Sequence, residues 1–590
     1  MKFSLPSFAL WRSGALAAFT RFPWNILCGA IGAACLITLI HTEHNEWLEG
    51  QCVRLAMAAA IGMPLFFSVR IVRERIPKFT PWPIEIVGLF VLAGWFFAQP
   101  ASPLRLPGII WIQWLLLLAA LHCVAAVSAH FSRTESLSFW QFNRRLFVRF
   151  CLATLYTVVL TGGLELAMLS ADKLFQLKLG KEYGDLFFLM VGLFHPTFFL
   201  TGVPRDFAAL DVESDYPRGL KAFTQFALAP LVAVYTAILY AYAIKIIIIR
   251  SWPHGWVALP VLLLSGIGIL AFLLLSPLRS RPEEKWARWF TTNFPRALAP
   301  LSVLLLISVL IRAREYGITE ARYIGIVAAL WTFAWAIVFI LHRPAGIRWI
   351  PSSLAIIAVL CAFGPWSAGE ISKISQVKRL KHMLQAHGMW KDDHAQAPGG
   401  TVELSKAEET NLRSTLNYII ATHGGPTIKL IFEPSVLYRD WQKLIAWEAA
   451  GDIITALNIV AQEESPRLIL VRRKPDSFLD VQDFRRLWRI NLYASNPTWN
   501  PKRSEGVAVG IEQGALKLTT GGDNAREEIS LQRIFDRIQS SRGHQLPDED
   551  LTIDFQNGTR TFRIVFESLT VRRETNGLSL NSTELYLLQK

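Results

Sequence analysis

The stretch "SVLLLISVLIRAREYGITEARYIGIVAALWTFAWAIVFIL", residues 302–341, sets two apolar runs around a short charged connection. Apolar runs like these belong in hydrocarbon, and a helix needs about 20 such residues to cross a ~30 Å core. The connection carries Arg312, Arg314, Glu315, Glu320 and Arg322 around Gly317, with Tyr316 and Tyr323 beside them. It reads as a joint between two helices. Gly317 suits the left-handed residue that ends a helix, and Ile318 the apolar residue just after it. Thr319 is the candidate cap of the next helix, with Glu320 in its first turn, where the helix dipole favours a carboxylate. Arginines and glutamates on such a turn can pair with each other, with an intramembrane carboxylate such as Glu165, or with phosphate head groups.

The same alternation continues to about residue 366. Eleven candidate spans fall near 24–40, 52–72, 82–98, 108–129, 147–170, 186–202, 224–249, 256–276, 297–311, 324–341 and 349–366. Beyond them the chain reads as water-soluble. The predicted fold is an α-helical polytopic membrane bundle of about 11 transmembrane helices, followed by a soluble α+β domain with a strand-rich C-terminal end. The expected partition is 1–366 in the membrane, 367–400 as connecting helix and linker, and 401–590 in water. The basic start and first apolar run lack a convincing small-residue cleavage site, so they read as an uncleaved first helix.

The net charge of +14 could serve a nucleic acid. The basic residues sit mostly in short loops between apolar runs, however, where they set topology and meet lipid head groups. Nucleic acid is therefore not an expected partner, and the lipid bilayer is. With the N-terminus in the cytoplasm, inner segments hold 21 Lys/Arg against 10 in outer ones. An odd number of spans then puts the C-terminal domain outside, in the periplasm of a bacterium with an inner membrane.

In the soluble part, 371–388 reads as a basic amphipathic helix leaving the membrane, and "DDHAQAPGGT" as a linker. Ser405 is a candidate cap for a helix ended by glycines. "TIKLIF" and "RLILVRR" read as strands flanking helical segments around "WQKLIAWEAAGDIITALNIV". Strands follow at "RLWRINLYAS", "GVAVGI", "ALKLTT", "LTIDFQ", "RTFRIVFESLTV" and "ELYLLQK", with one helix near 528–541. "RLWRINLY" and "RTFRIVFE" echo each other, as two related β-units would or as any two half-buried strands do.

Reactive groupings are scarce. The soluble part has no phosphate-binding loop, zinc-protease motif, serine-hydrolase elbow or cysteine. The six cysteines, Cys28, Cys35, Cys52, Cys123, Cys151 and Cys361, lie in or beside apolar runs without paired spacing. Asp392, Asp393 and His394 read as a solvated loop rather than a metal site. No metal and no cofactor is expected. Ionisable groups within spans are default functional candidates, because burying charge in lipid is costly. These are Glu165, beside the pair Gly162–Gly163 that would let another backbone approach, and His195, ahead of a helix-distorting proline. His122 is a third. Either histidine also reads as a hydrogen-bonded core residue, and Arg54, Arg149 and Lys245 read as side chains that snorkel to the interface. His41, Glu43, His44, Glu46 and Glu49 group in the first outer loop, which reads as solvated.

The run "IRAREYGITEARYIGIVAALW" resembles the signature of the bacterial membrane proteins called the domain of unknown function 4153 family. "LYAYAIKIII" with "SWPHGWVALPVLLLSGIGIL" at 239–270, and "NLRSTLNYIIATHG" at 411–424, add to the resemblance. It covers most of residues 150–460. It implies a multi-span inner-membrane protein with a C-terminal soluble domain, and it implies no activity or catalytic residue.

Three function classes follow. The first is a non-enzymatic envelope sensor, scaffold or assembly factor, presenting a periplasmic domain to an envelope protein or glycan. The second is a transporter or flippase, and the third a membrane enzyme acting on a lipid-linked sugar or acyl group at the outer face. The candidate functional residues are Arg312, Arg314, Glu315, Tyr316, Glu320, Arg322, Tyr323, Glu165 and His195.

Overall fold

The computed structural model describes residues 8–590 except 44, 77–79, 81, 101–106, 131–135, 213–214, 250–256, 343–345, 435, 438–444, 462–467, 474–478, 480, 494–501, 505–506, 513–514, 521–526, 541–544, 558–559 and 575–576. His44 of the first outer loop and residues 441–444 of an expected helical segment fall outside the described residues. The chain divides into two compact units, residues 1–400 with 412–458, and residues 401–411 with 459–590. This division follows contacts, whereas the composition change near residue 366 marks where water is expected to begin.

The first unit is helical. Among the described residues, nine helices are long and apolar enough to cross a membrane. They are Pro23–His41, Glu46–Arg75, Gly108–His130, Leu137–Phe175, Lys181–Thr201, Arg218–Ile249, Ala258–Leu275, Lys285–Tyr316 and Glu320–Leu341. Shorter apolar helices, Trp82–Ala98 and Trp349–Ala362, stand at the other two expected places. With 17 and 14 residues, they rise only about 26 and 21 Å at 1.5 Å per residue, short of a ~30 Å core. The count of about eleven spans therefore reduces to nine plus two short helices. Lys285–Tyr316 begins well before the expected 297, because it runs unbroken through Pro295 and Pro300.

Small residues and aromatics hold these helices together. A Cβ on Gly29 would stand 2.1 Å from the carbonyl oxygen of Gly192, so Pro23–His41 crosses that backbone closely. Such small-residue contacts are the usual way for helices to associate where lipid supplies no hydrophobic drive. A second core gathers Phe272, Phe294, Trp335 and Phe339, with Trp335 wholly buried and 5.1 Å from Phe272 in edge-to-face geometry. At one end, Arg21 donates to Glu74 through Nε at 3.0 Å and Nη2 at 2.6 Å. Its other bonds reach the carbonyls of Val203 and Pro204.

Helix Ala368–Ala386 follows, capped by Ser367, whose hydroxyl accepts from the Glu370 amide. The linker turn at Asp392–Asp393 joins two short strands, and both residues have positive φ, as tight hairpin turns require. Ser405 and Glu408 form a reciprocal capping pair at the start of Lys406–His423, as expected. "TIKLIF" is not a strand. It lies largely in the helix Gly425–Ile431, because Gly424 (φ +74°) ends the preceding helix and Pro426 is pre-set for the first turn of the next. A six-residue apolar run does not discriminate helix from strand by period alone.

The second unit holds two main sheets and the short parallel pair Val402–Leu404 with Ile459–Ala461. In the larger, the central hairpin Arg560–Glu574 and Gly577–Gln589 pairs with Leu468–Arg473 on one side and Arg486–Tyr493 on the other, all antiparallel. Thr552–Asn557 also pairs with Arg560–Glu574, and Gln545–Leu546 adds in parallel to Leu468–Arg473. The smaller sheet orders Glu527–Ile529, Ala515–Thr520, Val507–Glu512 and Lys502–Ser504. Their inward residues, among them Val509, Leu516, Phe566 and Leu587, share one core with Ile534 and Ile538 of helix Gln532–Ser540. The two echoing strands flank Gly577–Gln589. Ile490, Leu492, Ile564 and Phe566 are buried. Arg489 and Arg563 point out and pair with Glu584 and Asp554. Half-buried alternation accounts for the echo.

Candidate functional site

The charged joint is not an open loop. Helix Lys285–Tyr316 ends at Gly317, whose φ of +74° and ψ of 171° lie in a region essentially reserved for glycine, beyond the left-handed helical well. A Cβ there would meet Gln376 Nε2 at 2.7 Å. Thr319 holds the N-cap position of Glu320–Leu341, yet its hydroxyl makes no cap bond. The expected cap bond is not made, and the bonds from the neighbouring helix Ala368–Ala386 go instead to the turn that precedes Thr319.

Ser375, Gln376 and Arg379 of that helix reach across to the turn. The Ile318 amide donates to Ser375 Oγ at 2.8 Å. Gln376 Nε2 donates to the carbonyls of Tyr316 and Ile318 at 3.0 and 3.1 Å. Arg379 Nη1 donates to the Tyr316 carbonyl at 2.7 Å, and Arg322 Nη1 to those of Gly317 and Tyr316 at 2.7 and 3.3 Å. Carbonyls orphaned at a helix end need such donors, and cations there also suit the dipole. The Tyr323 hydroxyl donates to the Trp366 carbonyl at 2.6 Å.

One turn further in, Glu320 is 3% exposed. Its carboxylate accepts hydrogen bonds from the hydroxyls of Ser372 and Tyr418. His423 Nε2 lies 3.3 Å from Glu320 Oε1, and the side chains of both are 4% exposed. Burial, and then the bond to Glu320, holds the Tyr418 hydroxyl well above its ordinary pKa, so it stays a donor at any physiological pH. Burial pulls the His423 imidazole below its ordinary value, with Glu320 acting in the opposite sense. An ionised carboxylate can be buried when several donors and a helix N-terminus share its charge.

A serine, a histidine and a carboxylate together invite comparison with a nucleophilic triad. The geometry differs: His423 Nε2 faces both Ser372 Oγ, at 3.4 Å, and Glu320. A relay needs the serine on one ring nitrogen and the carboxylate on the other. Here the serine also bonds the carboxylate directly and is wholly buried. The arrangement is a polar clasp joining three helices. Among the described residues no group of three His, Cys, Asp or Glu side chains could hold a metal ion.

The structure brings Tyr316, Glu320, Arg322 and Tyr323 into this junction. Arg314 and Glu315 are exposed beside it, and Arg312 is half-buried. Glu165 and His195 belong elsewhere. His195 Nε2 lies 3.2 Å from Thr154 Oγ1, next to the π-helical turn Met190–Phe194. Glu165 is half-buried, and among the described residues no ion pair links it to the arginines of the joint. No backbone approaches Gly162 or Gly163 either, since a Cβ on each would meet nothing within 4 Å. Arg54 and Arg149 do not snorkel: Arg54 donates to the Gln99 carbonyl at 3.2 Å, and Arg149 to that of Phe198 at 2.8 Å. In the first outer loop, His41 pairs with Asp185 and Glu43 with Lys181.

Sequence reasoning missed Ser372, Gln376, Arg379, Tyr418 and His423 as site residues. The first three recur at i, i+4 and i+7 on one helix face, a polar stripe where an apolar one would pack. Tyr418 and His423 lie in "NLRSTLNYIIATHG", which stood out only for its resemblance.

A family model described as "Domain of unknown function (DUF4153)" matches residues 29–389, a range that holds Glu320 and Ser372 and ends before Tyr418. An uncharacterized protein of Pasteurella multocida (strain Pm70) is 25% identical over 299 residues, 49% of this chain and 48% of that protein. The chain thus matches about half the length of that relative. No solved structure matches.

Proposed function

The chain belongs to the domain of unknown function 4153 family, and from that premise we propose that it is a non-enzymatic scaffold, sensor or assembly factor of the bacterial inner membrane. One observation carries the reading. The joint between two apolar helices is clasped by helix Ala368–Ala386 and by the last turns of Lys406–His423, whose first residues belong to the second unit. Its polar groups serve the protein's own backbone and a closed carboxylate rather than a substrate cleft. Such a clasp suits a membrane bundle that presents an extramembrane part to a partner, an envelope protein or glycan.

With eleven crossings the Lys/Arg asymmetry supports a cytoplasmic N-terminus and a periplasmic residue 590, whereas with nine the same residues divide almost evenly between the two sides. Reporter fusions separate the cases. Eleven crossings put residue 203 inside and 316 outside; nine put 203 outside and 316 inside. A cytoplasmic residue 590 overturns the topology.

The role itself is tested in a deletion strain. Unchanged lipid and glycan profiles, with a defined envelope component crosslinked through residues 401–590, support the scaffold. A lipid-linked sugar or acyl product that disappears and returns only with the wild-type chain supports a membrane enzyme instead. A transporter or flippase is the second reading, motivated by the π-helical turns Met190–Phe194 and Thr224–Leu228 within apolar helices, a feature frequent at functional sites. Substrate accumulation indifferent to Glu165→Gln and His195→Gln removes it.

A further inference from the structure

Two arginines from neighbouring helices meet around Tyr316, and a third, Arg312, lies one turn before it in its own helix. Arg322 and Arg379 both donate to its carbonyl, and their guanidinium carbons lie 5.6 and 5.8 Å from the centroid of its ring. Arg312, one helical turn before Tyr316, acts electrostatically on both Tyr316 and Arg322, as does Arg379. Like charges gathered this closely ordinarily carry a carboxylate between them. Among the described residues, none of the three forms an ion pair. Glu320, the buried carboxylate of the stretch, is already engaged by Ser372, Tyr418 and His423. Glu315 faces the Tyr316 hydroxyl.

Each guanidinium has five N–H donors in a planar fork, and the turn carbonyls use one or two of those on Arg322 and Arg379 and none on Arg312 among the described residues. The remaining donors suit a tetrahedral oxyanion, which an arginine fork grips in bidentate fashion. The location narrows the source. Gly317 joins two helices long and apolar enough to span, so the cluster stands where a bilayer places its head groups. Tyr316, 39% exposed between two guanidiniums, is the amphipathic ring found at that depth.

We propose that Arg312, Arg322 and Arg379 form a binding site for a phosphate-bearing anion, taken from the head group of an anionic phospholipid. The site does not depend on the scaffold reading, because it rests on the joint's own geometry.

The test uses the full chain in nanodiscs of phosphatidylcholine with or without phosphatidylglycerol, together with inorganic phosphate as a soluble competitor. Retained lipid is read by native mass spectrometry and folding by thermal melting. Arg312→Gln removes one charge from a side chain with no hydrogen bond among the described residues. It should weaken phosphatidylglycerol retention about tenfold, the value of one charge-assisted bond, while melting in phosphatidylcholine stays unchanged. Arg322→Lys with Arg379→Lys keeps the charge but loses the forks, and should weaken retention further. Arg314→Gln, an exposed arginine outside the cluster, should do little.

Phosphatidylglycerol bound and not displaced by phosphate identifies the lipid as the source. Phosphate binding that Arg312→Gln also weakens identifies a soluble anion at the same site. Retention unaffected by Arg312→Gln, or equally reduced by Arg314→Gln, means only a diffuse surface potential and overturns the proposal. So does the absence of both ligands.

Discussion

Replacing Tyr418 with phenylalanine isolates the clasp from everything else in the junction. The ring and its edge contact with His423, at 5.8 Å, remain, and only the hydroxyl that donates to Glu320 is lost. A hydrogen bond to a charged group contributes about 1.5–3 kcal/mol, and a buried carboxylate left short of a donor puts the loss toward the upper end. Tyr418 is itself only half-buried, so water can replace part of the bond, and about 2 kcal/mol is the expected cost. At 1.4 kcal/mol per decade, local opening should become about 30-fold more frequent. Hydrogen exchange of the full chain in detergent reads this directly. Amides in Ala368–Ala386 and in 412–423 should lose protection, while those of helix Gln532–Ser540 in the second unit should not. Unchanged exchange at the clasp would refute the reasoning. An equal rise in the control helix would too, because it would report global rather than local loss.

Gly317→Ala forces a side chain into positive-φ backbone and against Gln376, and should cost about 1–3 kcal/mol, seen as a lower melting temperature in detergent. His423, facing Glu320, Glu370 and Lys373, has a folded pKa below its ordinary ~6.5. The unfolded chain therefore binds more protons between the two values. Stability from this group is complete above ~6.5 and is lost as pH falls through the folded value. Melting temperatures measured across that range should fall in the wild type and flatten in His423→Gln. Gly29→Ala should cost about 1–3 kcal/mol by overpacking against Gly192, whereas Gly163→Ala, in open space within a helix, should gain about 0.5–1 kcal/mol. Equal melting shifts for these two glycines would contradict the packing described.

Much of the architecture was legible because its signals are one-dimensional. A run such as residues 324–341 is apolar along its whole length, so burial in lipid follows from composition alone. The strands at 486–493 and 560–574 announce themselves by alternation, and the Ser405 cap by a serine followed three residues later by a glutamate. Where two signals overlapped, the reading slipped. "TIKLIF" had the length of a strand and the punctuation of a helix, and the proline decided it. The span expected from residue 297 marks only the most apolar part of a helix that begins at Lys285 and tolerates Pro295 and Pro300.

The sequence by itself determined that residues 302–341 are two apolar helices joined at a glycine, and that the joint carries charge. It could not say what the charge is for. Glu320, Ser372 and Tyr418 are separated by 52 and 98 residues along the chain, and nothing in local spacing brings them together. Only the packing of helix Ala368–Ala386 against the joint makes Glu320 a buried acceptor and sets Arg379 beside Arg322 at one tyrosine. Periodicity records which face of a helix is buried, but the partner that buries it is chosen by the fold.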